Sequence, residues 1–261
     1  MKDALKDTAL HKDIAIQQLP AMLDLWQKTL QWQPSDRQIS QFQKLYETII
    51  IGNRKLNLTR ITTPEDFWEK HLWDSLVGVV LLNREEKLIR EDTALKVIDI
   101  GTGAGFPGLP IAIAYPQWNF TLVDSTNKKI AFVAQTKTQL NLKNVHSLVE
   151  RAETIGRDSR HRELYDLALI RAVGKPSVCA EYILPLVKVG GLAILYRGHW
   201  EAEDTINLES AVDQLGSEVE LIHSQKTPIT ESIRHCIYLR KQSPTSKKYP
   251  RAVGIPNQKP L

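Results

Sequence analysis

A chain of 261 residues with 42% apolar content is long enough to form one large domain, or a domain with an appendage, around a buried core. The net charge is only +4, the N-terminal Met1-Lys2-Asp3-Ala4-Leu5-Lys6-Asp7 alternates charges, and no later window could span a bilayer, so neither secretion nor membrane insertion is expected and the expected location is the cytoplasm. Cys179 and Cys236 stand far apart, with no Cys-x-x-Cys and no His pair at metal spacing; no metal and no disulfide framework are expected, and both thiols read as buried fillers.

Leu19, Met22, Leu23, Trp26 and Leu30 fall at helical spacing, and Ile39, Phe42, Tyr46, Ile49 and Ile50 repeat the pattern. Ser35 with Gln38 has the form of a capping box for the second helix, and Gly52-Asn53 supplies an expected stop. Thr63-Pro64-Glu65-Asp66 offers a cap, a first-turn proline and first-turn acids, which predicts a third helix over residues 64–82. Between the second and third helices, Arg54, Lys55, Asn57 and Arg60 make a polar, basic segment suited to phosphates or a base. On the third helix His71 and Asp74 share a face and can pair; the plainer alternative is a partly exposed ion pair.

The central feature is the apolar strand of residues 95–100 that breaks into Gly101-Thr102-Gly103-Ala104-Gly105-Phe106-Pro107-Gly108 and then a proline-marked helix. Glycines just past a strand end allow positive φ and bring a ligand close to main chain near free helix N–H groups. Residues 103–108 spell the dinucleotide fingerprint, but its first glycine should follow the strand directly, and counting from Gly101 places Phe106 where the helix-packing glycine belongs. Asp99 followed by Gly101-x-Gly103-x-Gly105 is instead similar to the first motif of S-adenosylmethionine-dependent methyltransferases.

Strands and helices then alternate. Strands are expected at 119–124, 146–149, 165–170, 192–196, 219–223 and 235–239. Helices are expected after Asp124, over 176–187 and over 201–215, with Gly190-Gly191 as a turn. Only residues 224–234 separate the last two strands, too few for a crossover helix, so they should pair antiparallel. The predicted fold class is α/β: a Rossmann-like class I methyltransferase with a seven-stranded, mostly parallel sheet, an antiparallel last strand and an N-terminal helical segment. The division expected is 1–90 helical, 91–241 methyltransferase domain and 242–261 tail. That tail, from Arg240 onward, holds cations and no acids, which suits a polyanion or a solvated terminus equally.

Ligands of open α/β sheets bind beyond the carboxyl ends of the strands. Gly101 therefore offers backbone, Phe106 a wall, and Asp124 a ribose acceptor with Ser125 and Thr126 beside it. Ala152 and Glu153 fall where an adenine edge would lie. Arg171 stands at the mouth of the fourth strand, free to take a carboxylate or a phosphate, or to pair with Glu153 or Asp99. No Asn/Asp-Pro-Pro-Tyr/Phe run follows that strand, which points away from exocyclic amines, and a ring nitrogen such as guanine N7 needs no proton removed.

With these residues, Asn57-Leu58-Thr59 and His71-x-x-Asp74-Ser75 in view, the sequence from about Asn57 onward closely resembles the RsmG (GidB) family. The resemblance implies methylation of guanine N7 in the decoding-centre loop of bacterial 16S ribosomal RNA with S-adenosyl-L-methionine. It also implies cofactor contacts at Gly101, Phe106, Asp124, Ser125, Thr126, Ala152, Glu153 and Arg171. The partner would be 16S ribosomal RNA or the small ribosomal subunit, met as a monomer. Candidate RNA contacts are Arg54, Lys55, Asn57, Arg60, His71, Lys247, Lys248 and Arg251. The family's usual Gly-Thr-Pro near the end is Gly254-Ile255-Pro256 in this chain. Alternatives are a methyltransferase of another substrate and a non-catalytic RNA-binding module.

Overall fold

The computed structural model describes residues 16–80, 82 and 94–261; the charged N-terminal heptad and the expected boundary near residue 90 lie outside them. The first helix, α1 (Leu23–Leu30), starts four residues later than its apolar spacing suggests. In α2 (Asp36–Leu56) the Ser35–Gln38 capping box is present, yet Gly52-Asn53 does not stop the helix; it runs on to Asn57, which caps it in the left-handed conformation. Gly52 is instead a packing position, because a Cβ there would lie 2.3 Å from Phe132 Cε2. Arg54 and Lys55 thus belong to the last helical turn, exposed, and Asn53 folds the following loop by bonding both the N–H and the carbonyl of Thr59.

The third predicted helix is three pieces: α3 (Pro64–Phe67), a wide π-helical turn (Trp68–Trp73) and α4 (Asp74–Val80). Thr63 does not cap it through its side chain; its hydroxyl donates to Asp66 at 3.0 Å. The strands are β1 (Lys96–Ile100), β2 (Asn119–Asp124), β3 (Val145–Val149), β4 (Tyr165–Arg171), β5 (Val187–Arg197), β6 (Ser217–Lys226) and β7 (Ile233–Lys241). They form one seven-stranded sheet of order β3-β2-β1-β4-β5-β7-β6. β1 to β5 are parallel; β7 runs antiparallel between β5 and β6, so the reversed strand is internal and β6 is the edge.

Interleaved are α5 (Gly108–Ala114), α6 (Asn127–Gln139), α7 (Ala152–Ile155), α8 (Pro176–Ile183) and α9 (Ala202–Gln214). The helix expected over 176–187 ends at Ile183, because a short 3-10 turn (Leu184–Leu186) turns the chain into β5. Gly190-Gly191 then lies inside β5, where the pairing with β4 slips in register between Tyr165 and Leu167.

Side chains alternate across the sheet with period two. Val97, Leu167 and Leu169 join the core shared with α1, α2, α4, α5 and α6; Ile98, Ile100, Ala168 and Ile170 join the one under α8 and α9. The N-terminal helices therefore cover one face of the sheet. Trp26 and Trp68 pack at 4.6 Å between ring centroids, and Trp73 Nε1 donates to Thr29 Oγ1. Tyr196 of β5 and Tyr238 of β7 grip α4 by donating to the carbonyls of Ser75 and Gly78.

Beyond Lys241 the chain is docked along α8. Arg162 donates to the carbonyls of Thr245, Ser246 and Tyr249, and Arg157 to that of Pro250. Arg251 makes a bidentate pair with the fully buried Glu181, at 2.6 Å for the shorter contact. The tail ends in α10 (Ile255–Gln258). Of the cations that suggested a polyanion-binding arm, Arg240 pairs with Glu220, Lys241 is buried against the carbonyls of Leu184 and Leu215, and Lys248 sits 4.9 Å over the ring of Tyr249. Lys247, Lys248 and Lys259 stay exposed.

Candidate active site

The strand order reverses between β1 and β4, and the loops after those strands flank that switch point. After β1, Asp99 is fully buried and accepts from Thr102 Oγ1 (2.6 Å) and Gly108 N (3.0 Å), which ties the two ends of the glycine loop together. Burial pushes its carboxyl up to about 6. Gly101 has φ +73°, and a Cβ on it would lie 2.4 Å from Val173 Cγ2, so only glycine fits against the loop that follows β4.

Asp124, at the end of β2, accepts Gly103 N (3.0 Å) on one oxygen and Thr126 N (2.9 Å) on the other. A carboxylate has roughly four acceptor positions, so two remain for a diol. Asp124 thus ties the glycine loop to the residue that opens α6, whose N-cap is Thr126. Around it lies a cavity of about 290 Å³ lined by Ile100, Gly101, Val123, Asp124, Ser125, Thr126, Lys129, Ala152, Glu153, Val173, Tyr182 and Asn257, among others. The donor set suits S-adenosylmethionine: open backbone at Gly101, a paired-hydroxyl acceptor at Asp124, and apolar walls from Ile100, Val123, Ala152 and Val173 for a purine. Phe106 does not line this cavity but backs the loop from behind, buried against Phe67 and His71. Glu153 is buried and already accepts from Tyr182 OH (3.3 Å) and Gly254 N (2.9 Å).

Arg171 pairs with neither Glu153 nor Asp99. Its Nη1 reaches Asp74 Oδ2 at 2.8 Å and the carbonyl of Lys70, inside the π-helical turn, at 3.2 Å. Its Nη2 faces His71 Nδ1 at 3.4 Å, and its guanidinium lies 5.7 Å over the ring of Phe106. His71 and Asp74 are therefore joined through Arg171 rather than bonded to each other. Since arginine only donates, Nδ1 is the acceptor and the ring proton sits on Nε2, directed at Thr59 Oγ1 2.9 Å away. Burial, then the neighbouring Arg171 charge, pulls the imidazole down to about 3, so it is neutral near pH 7. Both ring nitrogens are engaged, and an RNA contact by His71 would have to displace one partner.

A second cavity, of about 340 Å³, adjoins the first; Ala172, held at φ +56°, lines both. Its lining is Asp74, Arg171, Tyr196, Arg197, Gly198, His199 and Arg234. Arg234 Nε lies 3.3 Å from Asp74 Oδ1, and Arg197 donates to the carbonyl of Gly174. Two of the three guanidiniums thus share one carboxylate, and the cavity keeps an excess of positive charge. On the outer surface Arg54, Lys55, Asn57 and Arg60 are exposed. Among the described residues no helix is long and apolar enough to cross a membrane, and no group of three or more His, Cys, Asp or Glu is placed to hold a metal ion.

Residues 38–236 match the GidB family, described as rRNA small subunit methyltransferase G. The chain belongs to that family. It is similar to ribosomal RNA small subunit methyltransferase G of Trichormus variabilis, 58% identical over 93% of this chain and 98% of that protein. The protein of the same name from Trichodesmium erythraeum is 57% identical over 95% of this chain and 97% of its own length. Membership makes the chain a methyltransferase with a Rossmann-like class I fold. Sequence reasoning about this GidB chain missed Tyr182, Val173 and Asn257 in the first cavity and Arg197 and Arg234 in the second. None carries a local motif; all arrive by long-range packing.

Proposed function

We propose that this chain transfers the methyl group of S-adenosyl-L-methionine to N7 of a guanine in the decoding-centre loop of 16S ribosomal RNA. The observation that carries the reading is the meeting of two cavities at Ala172, one lined by a ribose-type acceptor and the glycine loop, the other by arginines. The first suits a nucleoside cofactor and the second suits a nucleotide with its phosphate. Relatives at 57–58% identity are named for methylation of small-subunit ribosomal RNA.

When bound, the cofactor supplies a methyl group on a positively charged sulfur. Asp124 holds the sugar end through its two remaining acceptor positions, and Gly101 lets main chain approach. The arginines around Asp74 hold the target nucleotide at the rim of the same loop. Guanine N7 has an in-plane lone pair and no proton, so the chain need not remove one. That agrees with His71, which is neutral, buried and spent on Thr59 and Arg171. Rate then comes from aligning nucleophile, methyl carbon and sulfur.

The test is to incubate the protein with methyl-labelled cofactor and small-subunit ribosomal RNA, then cleave the RNA by borohydride and aniline, which cuts at N7-methylguanosine. Label that maps to one such cut in the decoding-centre loop is the expected result. Label on an exocyclic amine, or on protein and not RNA, would overturn the reading.

A further inference from the structure

The docked tail reaches the cofactor cavity, and its hydrogen bonds run in one direction. Tyr182 OH donates to Glu153 Oε1, and the phenol has only that one proton to give. Its oxygen must then accept from Asn257, whose Nδ2 stands 3.0 Å away. This order sets the otherwise ambiguous carboxamide: the nitrogen faces the phenol, and Oδ1 is left as an acceptor on a side chain that lines the cavity. The same Glu153 oxygen takes Gly254 N at 2.9 Å, so one buried carboxylate seats both the tail backbone and the phenol that aims Asn257. Burial, then the charge of Glu153, pushes the Tyr182 phenol up to about 12, so it keeps its proton at any working pH.

We propose that Asn257 is a cofactor-binding residue: its Oδ1 accepts a hydrogen bond from the exocyclic amino group of the cofactor's adenine, and Glu153 acts on the cofactor mainly by seating the tail that carries it. This rests on the reading of the cavity as an S-adenosylmethionine site. A purine offers the right complement, because adenine presents an amino donor at the position where hypoxanthine presents an oxygen. The tail is thereby part of the cofactor site, which accounts for the pairing of Arg251 with the buried Glu181 that holds it down.

The experiment is calorimetric titration of the full chain with S-adenosylhomocysteine and with its inosine counterpart. Asn257 is exposed, so Asn257→Ala should fold normally. It should weaken the adenine ligand about fivefold to tenfold while leaving the hypoxanthine ligand nearly unchanged, as expected for one lost hydrogen bond. Tyr182→Phe, which keeps the ring and removes the relay, should shift the ratio of the two affinities in the same direction. Equal weakening of both ligands, or no weakening of either, would overturn the proposal. Failure of the unsubstituted protein to bind either ligand would instead overturn the cofactor reading on which it rests.

Discussion

The imidazole of His71 lies on the ring of Phe106, with 4.2 Å between centroids and 12° between planes. That stack joins the π-helical turn to the back of the glycine loop, and Arg171 closes it from the side at 5.7 Å from the phenyl centroid. An imidazole so placed is held uncharged by its surroundings.

Stability should therefore fall with acid through this residue. The imidazole titrates near 6.5 when unfolded and at about 3 when folded, so the folded state binds fewer protons across that window. Its contribution is complete above pH 6.5 and is lost as pH falls toward 3. Between pH 7 and 5 the loss is about 2 kcal/mol. Urea titrations should show His71→Asn closing its stability gap to the parent by that amount at pH 5. Asp99, raised by burial, works in the opposite sense and cancels because both proteins carry it. A gap independent of pH would mean that the folded imidazole protonates freely.

The rate of methyl transfer should not titrate with a base. A single-turnover profile from pH 6 to 9, with RNA saturating, should have the same shape in the parent and in His71→Asn and be flat above the range in which Asp99 titrates, because N7 carries no proton. A rising limb near the ordinary histidine range that vanishes in the variant would make His71 a base and sink the alignment mechanism.

Removing the sugar acceptor should weaken the cofactor without unfolding the chain. Asp124→Ala should cost S-adenosylmethionine about 1–3 kcal/mol of binding by calorimetry. Asp124→Asn, which keeps one acceptor oxygen for Gly103 N or Thr126 N, should lose less. A folded alanine variant with undiminished affinity would leave Asp124 a loop and helix anchor only.

Salt dependence should locate the RNA surface. Arg54, Lys55 and Arg60 are exposed on the last turn of α2 and the loop beyond it, so replacing all three by alanine should spare the fold. If each meets a single-stranded phosphate, the slope of log affinity against log salt should drop by about 0.7 per residue. An undiminished slope in the triple variant would place the RNA elsewhere.

What the sequence determined by itself is what local chemistry encodes. Glycines after an apolar strand specify a loop with positive φ at Gly101, Gly103 and Gly105; Asp124 ends a strand in an acid; and the short link from 226 to 233 forbids a crossover helix, so β7 runs reversed. These follow from backbone sterics and chain reach, which act over a few residues. The tertiary structure alone decided which distant groups meet. Arg171 found Asp74, 97 residues away, instead of Asp99 or Glu153. Gly52 keeps a helical conformation without positive φ and packs against Phe132, so it does not end its helix. Arg251 is spent on Glu181 and Lys241 on buried carbonyls, while Lys247, Lys248 and Lys259 stay exposed, and β7 slots between β5 and β6. Charge pairing and close packing are chosen by which partners the whole fold brings within a few ångströms, and no spacing along the chain records that choice.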